Sequence, residues 1–159
     1  MKYFEDFSLG QVQRSPRVHR VTEEEIMEFG RRWDSQPFHV DKAAAEQTEF
    51  GGLVASSTHL FAIAIGLWND PELPQAERTA AISALGFDNM KLRAPARPAD
   101  VLTSSTTVLA KREAASRPNA GILVFLNEVI NQADELVVEF ESAALYAKRH
   151  VHQDHHTPD

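Results

Sequence analysis

The sequence predicts an α+β fold, a curved antiparallel β-sheet wrapped around a central apolar helix. Three observations carry that prediction. Helical patterning is confined to residues 22–68, while strand patterning dominates from residue 79 onward. One helical segment, 57–68, keeps no polar face beyond its first turn: Leu60, Phe61, Ile63, Ala64, Ile65, Leu67 and Trp68 leave none. It is far too short to cross a bilayer, so the protein itself must enclose it on most sides. The later segments alternate with a period of two, as strands resting one face on that helix would.

The elements follow in order. A strand within 12–21 precedes the first helix. Thr22-Glu23-Glu24-Glu25 fits a capping box, with Thr22 as N-cap and Glu25 three positions on, and Ile26, Phe29 and Trp33 recur on one buried stripe. Pro37 stops this helix, because it drives the preceding residue out of the helical region. A short helix over 41–47 starts from Asp41 as cap and runs through three alanines. Gly51-Gly52 breaks the chain, and Ser56 caps the apolar helix. Strands are expected over 79–92, 101–112, 122–130 and 138–146, the last two forming an antiparallel hairpin around Asn131-Gln132-Ala133-Asp134. A sheet of this kind leaves a long edge that invites pairing with a second copy, so a homodimer is expected.

Composition narrows the chemistry. The 159 residues suffice for one core, 43% hydrophobic and 25% charged, and the domain is read as residues 1–149. Residues 150–159 form a His-rich tail, expected to be disordered because it has almost nothing to bury. The chain has no cysteine, which removes disulfides, thiolate metal sites and cysteine nucleophiles. Sixteen Lys and Arg against 23 Asp and Glu give a net charge of −7, the wrong sign for a nucleic-acid partner. The amino end lacks the basic and apolar regions of an export signal, and no stretch is long and apolar enough for a membrane helix, so a cytoplasmic location is expected.

Two stretches can carry chemistry. Asp34 stands where the first helix ends and His39 follows five residues on, after a proline-stiffened turn. A carboxylate and an imidazole so placed can hold one water between them, one accepting its proton while the other orients it. The second stretch is the start of the apolar helix, where Ser57 and Thr58 present unpaired N–H groups able to polarise a carbonyl oxygen. Lys91, Arg93 and Arg97 form the densest basic cluster of the middle of the chain, suited to a few phosphates or simply to blunting a strand edge.

Asp34-x-x-Pro37-x-His39-x-Asp41 followed by Phe50-Gly51-Gly52-x-Val54-Ala55-Ser56 resembles the signature of the MaoC-like (R)-specific enoyl-CoA hydratases and acyl dehydratases of the hot-dog fold. The likeness continues through Leu85-Gly86-Phe87-Asp88-Asn89, through Arg93-x-Pro95-x-Arg97-Pro98-x-Asp100 and through Ser116-Arg117-Pro118. The opening Tyr3-Phe4-Glu5-Asp6-Phe7-x-Leu9-Gly10 also fits. The resemblance implies addition of water to a 2-enoyl thioester, or the reverse dehydration, without metal or redox cofactor. Asp34 and His39 would be the catalytic pair, and the thioester carbonyl would dock on the N–H group after Ser56. Ser56, Ser57, Thr58 and His59 would contact substrate, and Arg93 and Arg97 would meet the phosphates of an acyl-CoA, or the carrier would be an acyl-carrier protein. The assembly implied is a homodimer or a dimer of dimers. Two positions depart from the family pattern: Gln36 stands where relatives often have Asn, and Ser57 where they usually have Gly. Thioester hydrolysis on the same fold, and a non-catalytic acyl-binding or partner subunit, are the alternative readings.

Overall fold

The computed structural model describes residues 1–149, and the histidine-rich tail lies outside the described residues. A 3-10 turn over Phe4–Asp6 opens the chain. Strands β1 (Val12–Arg14) and β2 (His19–Arg20) lead into helices α1 (Glu23–Trp33), α2 (Pro37–Val40), α3 (Lys42–Glu46) and α4 (Ser57–Gly66). Four long strands then follow: β3 (Ala81–Leu92), β4 (Val101–Glu113), β5 (Ala120–Ile130) and β6 (Leu136–Ala147). The sheet is antiparallel in the order β1-β4-β5-β6-β3, with β2 also paired to β4.

The expected strand over 12–21 is two pieces. Pro16 has no N–H to give, and the chain leaves the ladder between Arg14, which faces Ser105, and His19, which faces Leu102. At the other end of the sheet, Asn131 shapes the β5–β6 turn: its Oδ1 accepts from the N–H groups of Ala133 and Glu135, and Asp134 takes the left-handed φ of 58°.

The core is built against one face of the sheet. Leu60, Ile63 and Ala64 of α4, with Leu67 just past its end, pack on Leu102, Val129, Val138 and Phe140. At the far end, Phe4 and Phe7 cover Val108, Leu123, Phe125 and Tyr146. Gly121 makes that cover possible, since a Cβ there would collide with the Phe4 ring. Helix α4 is not enclosed on all sides by a single chain. Ala62 and Ile65 stay exposed, and so do Ile82, Leu85, Phe87 and Met90 along the edge strand β3. Trp33 departs from expectation as well: it is 70% exposed with the Arg32 guanidinium over its ring, because α1 has only Ile26 and Gly30 buried.

Candidate active site

Three neighbouring segments meet at the amino end of α4. The Thr22 hydroxyl caps α1, accepting from the Glu25 N–H at 3.1 Å, and the helix ends at Asp34, whose N–H donates to the Gly30 carbonyl. Pro37 then opens α2 from its first position, where a missing N–H costs nothing, so His39 sits in a helical turn rather than an open loop. Gly30 lets α1 and α2 come together. A Cβ on it would lie 2.9 Å from both the His39 carbonyl oxygen and Val40 Cγ1.

This packing orients the imidazole. His39 is 6% exposed, and its Nδ1 stands 2.6 Å from the Val54 carbonyl oxygen. A carbonyl only accepts, so Nδ1 carries the hydrogen and, in the neutral ring, Nε2 is left as an acceptor. Nε2 faces Asp34 Oδ2 at 3.6 Å, and the carboxylate is partly open to solvent. Two acceptors at that separation are too far apart for a direct hydrogen bond, and a water donating to both would turn its oxygen lone pairs away from the pair. The space they would turn towards is a cleft of about 370 Å³. Phe38, Phe50 and Leu60 give it apolar walls, and Ser57 and Arg93 stand on its border.

Ser56 caps α4, its buried hydroxyl accepting from the His59 N–H at 3.2 Å and lying 3.2 Å from Thr58 Oγ1. The Ser57 and Thr58 N–H groups take no partner among the described residues, leaving two donors with partial positive charge at the helix start. The structure therefore brings Asp34, His39 and Ser57 to one cleft, with Ser56 beneath it as cap. The Thr58 side chain is exposed and does not line that cleft.

Two expected substrate contacts lie elsewhere. His59 points to another face of α4, stacked at 4.5 Å on Phe29, with Nε2 3.6 Å from Glu25 Oε1. Glu25 does not turn back to complete the capping box. Its carboxylate is held by His19 Nε2 at 2.7 Å, a contact that only the paired β2 can supply. Burial pushes the His59 imidazole below its ordinary range, against the pull of Glu25 and with the help of His19 and His39. Arg97 also sits away from the cleft. Its Nη2 donates to the Phe50 carbonyl at 2.7 Å and its backbone N–H to Asp100 Oδ2, so it pins the loop that carries the Phe50 wall. In that loop Gly51 adopts φ 62°. Arg93 reaches the cleft border but is paired to Glu139, whose Oε1 also lies 3.8 Å from Lys91 Nζ.

Gly30 and Val54 are the positions that sequence reasoning missed. A glycine inside a helix is disfavoured by roughly 1 kcal/mol relative to alanine, and that cost was the available signal for a close approach. Val54 acts through its main chain, which leaves no trace in residue type.

The MaoC-like domain model matches residues 6–123 of this chain. A curated relative, the uncharacterized protein YdeM of Bacillus subtilis (strain 168), is 30% identical over 141 residues, 89% of this chain and 96% of that one. A MaoC-like dehydratase from Rhodospirillum rubrum is 34% identical, with a TM-score of 0.82 over 94% of this chain and 99% of its own. An (R)-hydratase from A. caviae shares the fold at 23% identity, with a TM-score of 0.67 over 88% of this chain and 97% of its own. With this sheet, this helix and this family match, the chain belongs to the MaoC-like domain family and has the hot-dog fold.

Proposed function

We propose that this protein adds water to a 2-enoyl thioester, or removes it from the 3-hydroxyacyl thioester, with an acyl-CoA as substrate. The observation that carries the reading is the pair of acceptors, Asp34 Oδ2 and His39 Nε2, 3.6 Å apart on the border of an apolar cleft. In the hydration direction, water held by the pair attacks C3 of the enoyl group. Asp34 acts as general base, the C3–O bond forms, and the π electrons move onto the thioester oxygen as an enolate. The free N–H groups of Ser57 and Thr58 receive that developing charge. The pair then returns a proton to C2, with His39 assisting, and ends as it began.

Arg93 and Lys91 oppose a single carboxylate, Glu139, so that cluster beside the cleft keeps one net positive charge for a phosphate of the carrier. The exposed apolar residues of β3 and α4 support pairing with a second copy along β3, and light scattering should then report two chains per particle. A cytoplasmic location fits a thioester carrier.

Mixing the protein with a 2-enoyl-CoA and separately with a saturated acyl-CoA tests the reaction. Hydration predicts loss of the conjugated absorbance in the first and no free thiol in the second. Free thiol from the saturated substrate with conjugation retained in the first would assign a thioesterase instead.

A further inference from the structure

A second cavity, of about 340 Å³, lies along the carboxyl half of α4, between Ile65 on the helix, Trp68 just past its end and the inward face of the sheet. Its floor is anomalous. The inward face of β4, β5 and β6 is apolar at both ends, with Leu102, Val129 and Val138 at one and Val108, Leu123 and Tyr146 at the other. Between them runs a polar row. Gln13 on β1 faces Thr106 on β4, and Thr106 faces Asn127 on β5, so the three are direct cross-strand neighbours. Ser142 on β6 joins the row through its hydroxyl, which accepts from Asn127 Nδ2 at 2.9 Å. All four line the cavity.

Polar groups at inward positions are costly unless they are partnered, and valine or leucine would continue the rows on either side at lower cost. The partners are incomplete. Asn127 spends its amide hydrogens on Ser142 and on the Phe125 and Phe140 carbonyls, which fixes the amide orientation and leaves Oδ1 without a partner among the described residues. Gln13 Nε2 is buried and makes no hydrogen bond among the described residues. The floor thus offers the free Asn127 acceptor beside the Thr106 hydroxyl, with the unpartnered Gln13 amide across the strands from Thr106, a set that matches a hydroxyl group. No Lys, Arg, His, Asp or Glu lines the cavity, so nothing there would neutralise a charged guest.

The cavity and the cleft lie on one helix. Ser57 and Leu60 border the cleft, Ile65 borders the cavity, and Ser57 to Ile65 spans about 12 Å of helix, the reach of a medium-length acyl chain. Phe61 lies between them, packed edge-on against Phe87 at 4.8 Å and Phe140 at 5.2 Å.

We infer that the acyl chain of the thioester runs along α4 and ends over this row, and that its far end carries a neutral oxygenated group, a hydroxyl above all. The inference rests on the hydratase reading and narrows its substrate class. The test compares plain alkyl 2-enoyl-CoAs with ω-hydroxy 2-enoyl-CoAs of equal length, over short to medium chains, in the wild type and in Thr106→Val and Gln13→Met. The wild type should favour the hydroxylated substrate in kcat/KM by about tenfold at one chain length, and either variant should erase most of that preference while still hydrating the alkyl substrate. Efficient hydration of alkyl substrates with no hydroxyl preference at any length, or a preference unchanged in both variants, overturns the inference and leaves the hydratase reading standing. Failure to hydrate either series overturns both.

Discussion

His39 and His59 are both buried near the amino end of α4, yet their surroundings differ in kind. His39 has one nitrogen tied to the Val54 carbonyl, which sets its tautomer, and the other facing a carboxylate beside an open cleft. His59 has Nδ1 buried without a partner among the described residues, Nε2 too far from Glu25 for a hydrogen bond, and its ring flat against Phe29. Burial alone therefore does not make a histidine reactive. The hydratase reading asks for an ordered proton on one nitrogen and a lone pair on the other turned to the cleft, and of these two histidines His39 has both.

The sharpest way to break that contrast is His39→Ala. Loss of the water-holding nitrogen should lower kcat by about 10²–10⁴-fold, and the orphaned Val54 carbonyl should cost about 1–3 kcal/mol of stability. Steady-state kinetics and urea unfolding of the same preparation read both. His59→Gln, in contrast, should leave kcat within a few-fold, and an equal loss in the two variants would erase the distinction.

Gly30→Ala tests how the orientation of His39 is maintained. The new Cβ must displace α2 or α1, at a cost of about 1–3 kcal/mol, and moving His39 relative to Asp34 should lower kcat more than it raises KM. A stable variant with full kcat would show that the α1–α2 contact does not set the pair.

The smallest expected effect lies on the His59 side and depends on pH. Its folded-state pKa is held below the ordinary value, so in acid the unfolded chain binds the proton that the folded chain resists. Stability should therefore fall as pH drops below about 6.5, the ordinary imidazole value, and be regained above it. His59→Gln should flatten that slope, read as unfolding midpoints either side of neutrality. An unchanged slope would place the titration in another group.

Local signals were legible in the sequence, and distant partners were not. Thr22 and Ser56 announced their helices because an N-cap acts within three residues, and the β5–β6 hairpin followed from alternation and one Asn-rich turn. Asp34 and His39 stood out by spacing and by family likeness. Glu25 could not be placed, because its partner His19 arrives on a strand paired to β4. Arg97 read as a free cation, although the Phe50 carbonyl that it holds lies 47 residues away in sequence. The polar row was hidden for a related reason. Gln13, Thr106, Asn127 and Ser142 each fit their own strand, and only the register of four strands shows that they meet.

The central claim is that Asp34 takes the proton of an attacking water. Its most direct test is Asp34→Ala, assayed for hydration of a 2-enoyl-CoA alongside thermal unfolding and thioester binding. Asp34 is partly exposed and its side chain accepts no hydrogen bond from the described residues, so folding and binding should persist while hydration falls to background. Undiminished turnover in a folded Asp34→Ala protein would contradict the account.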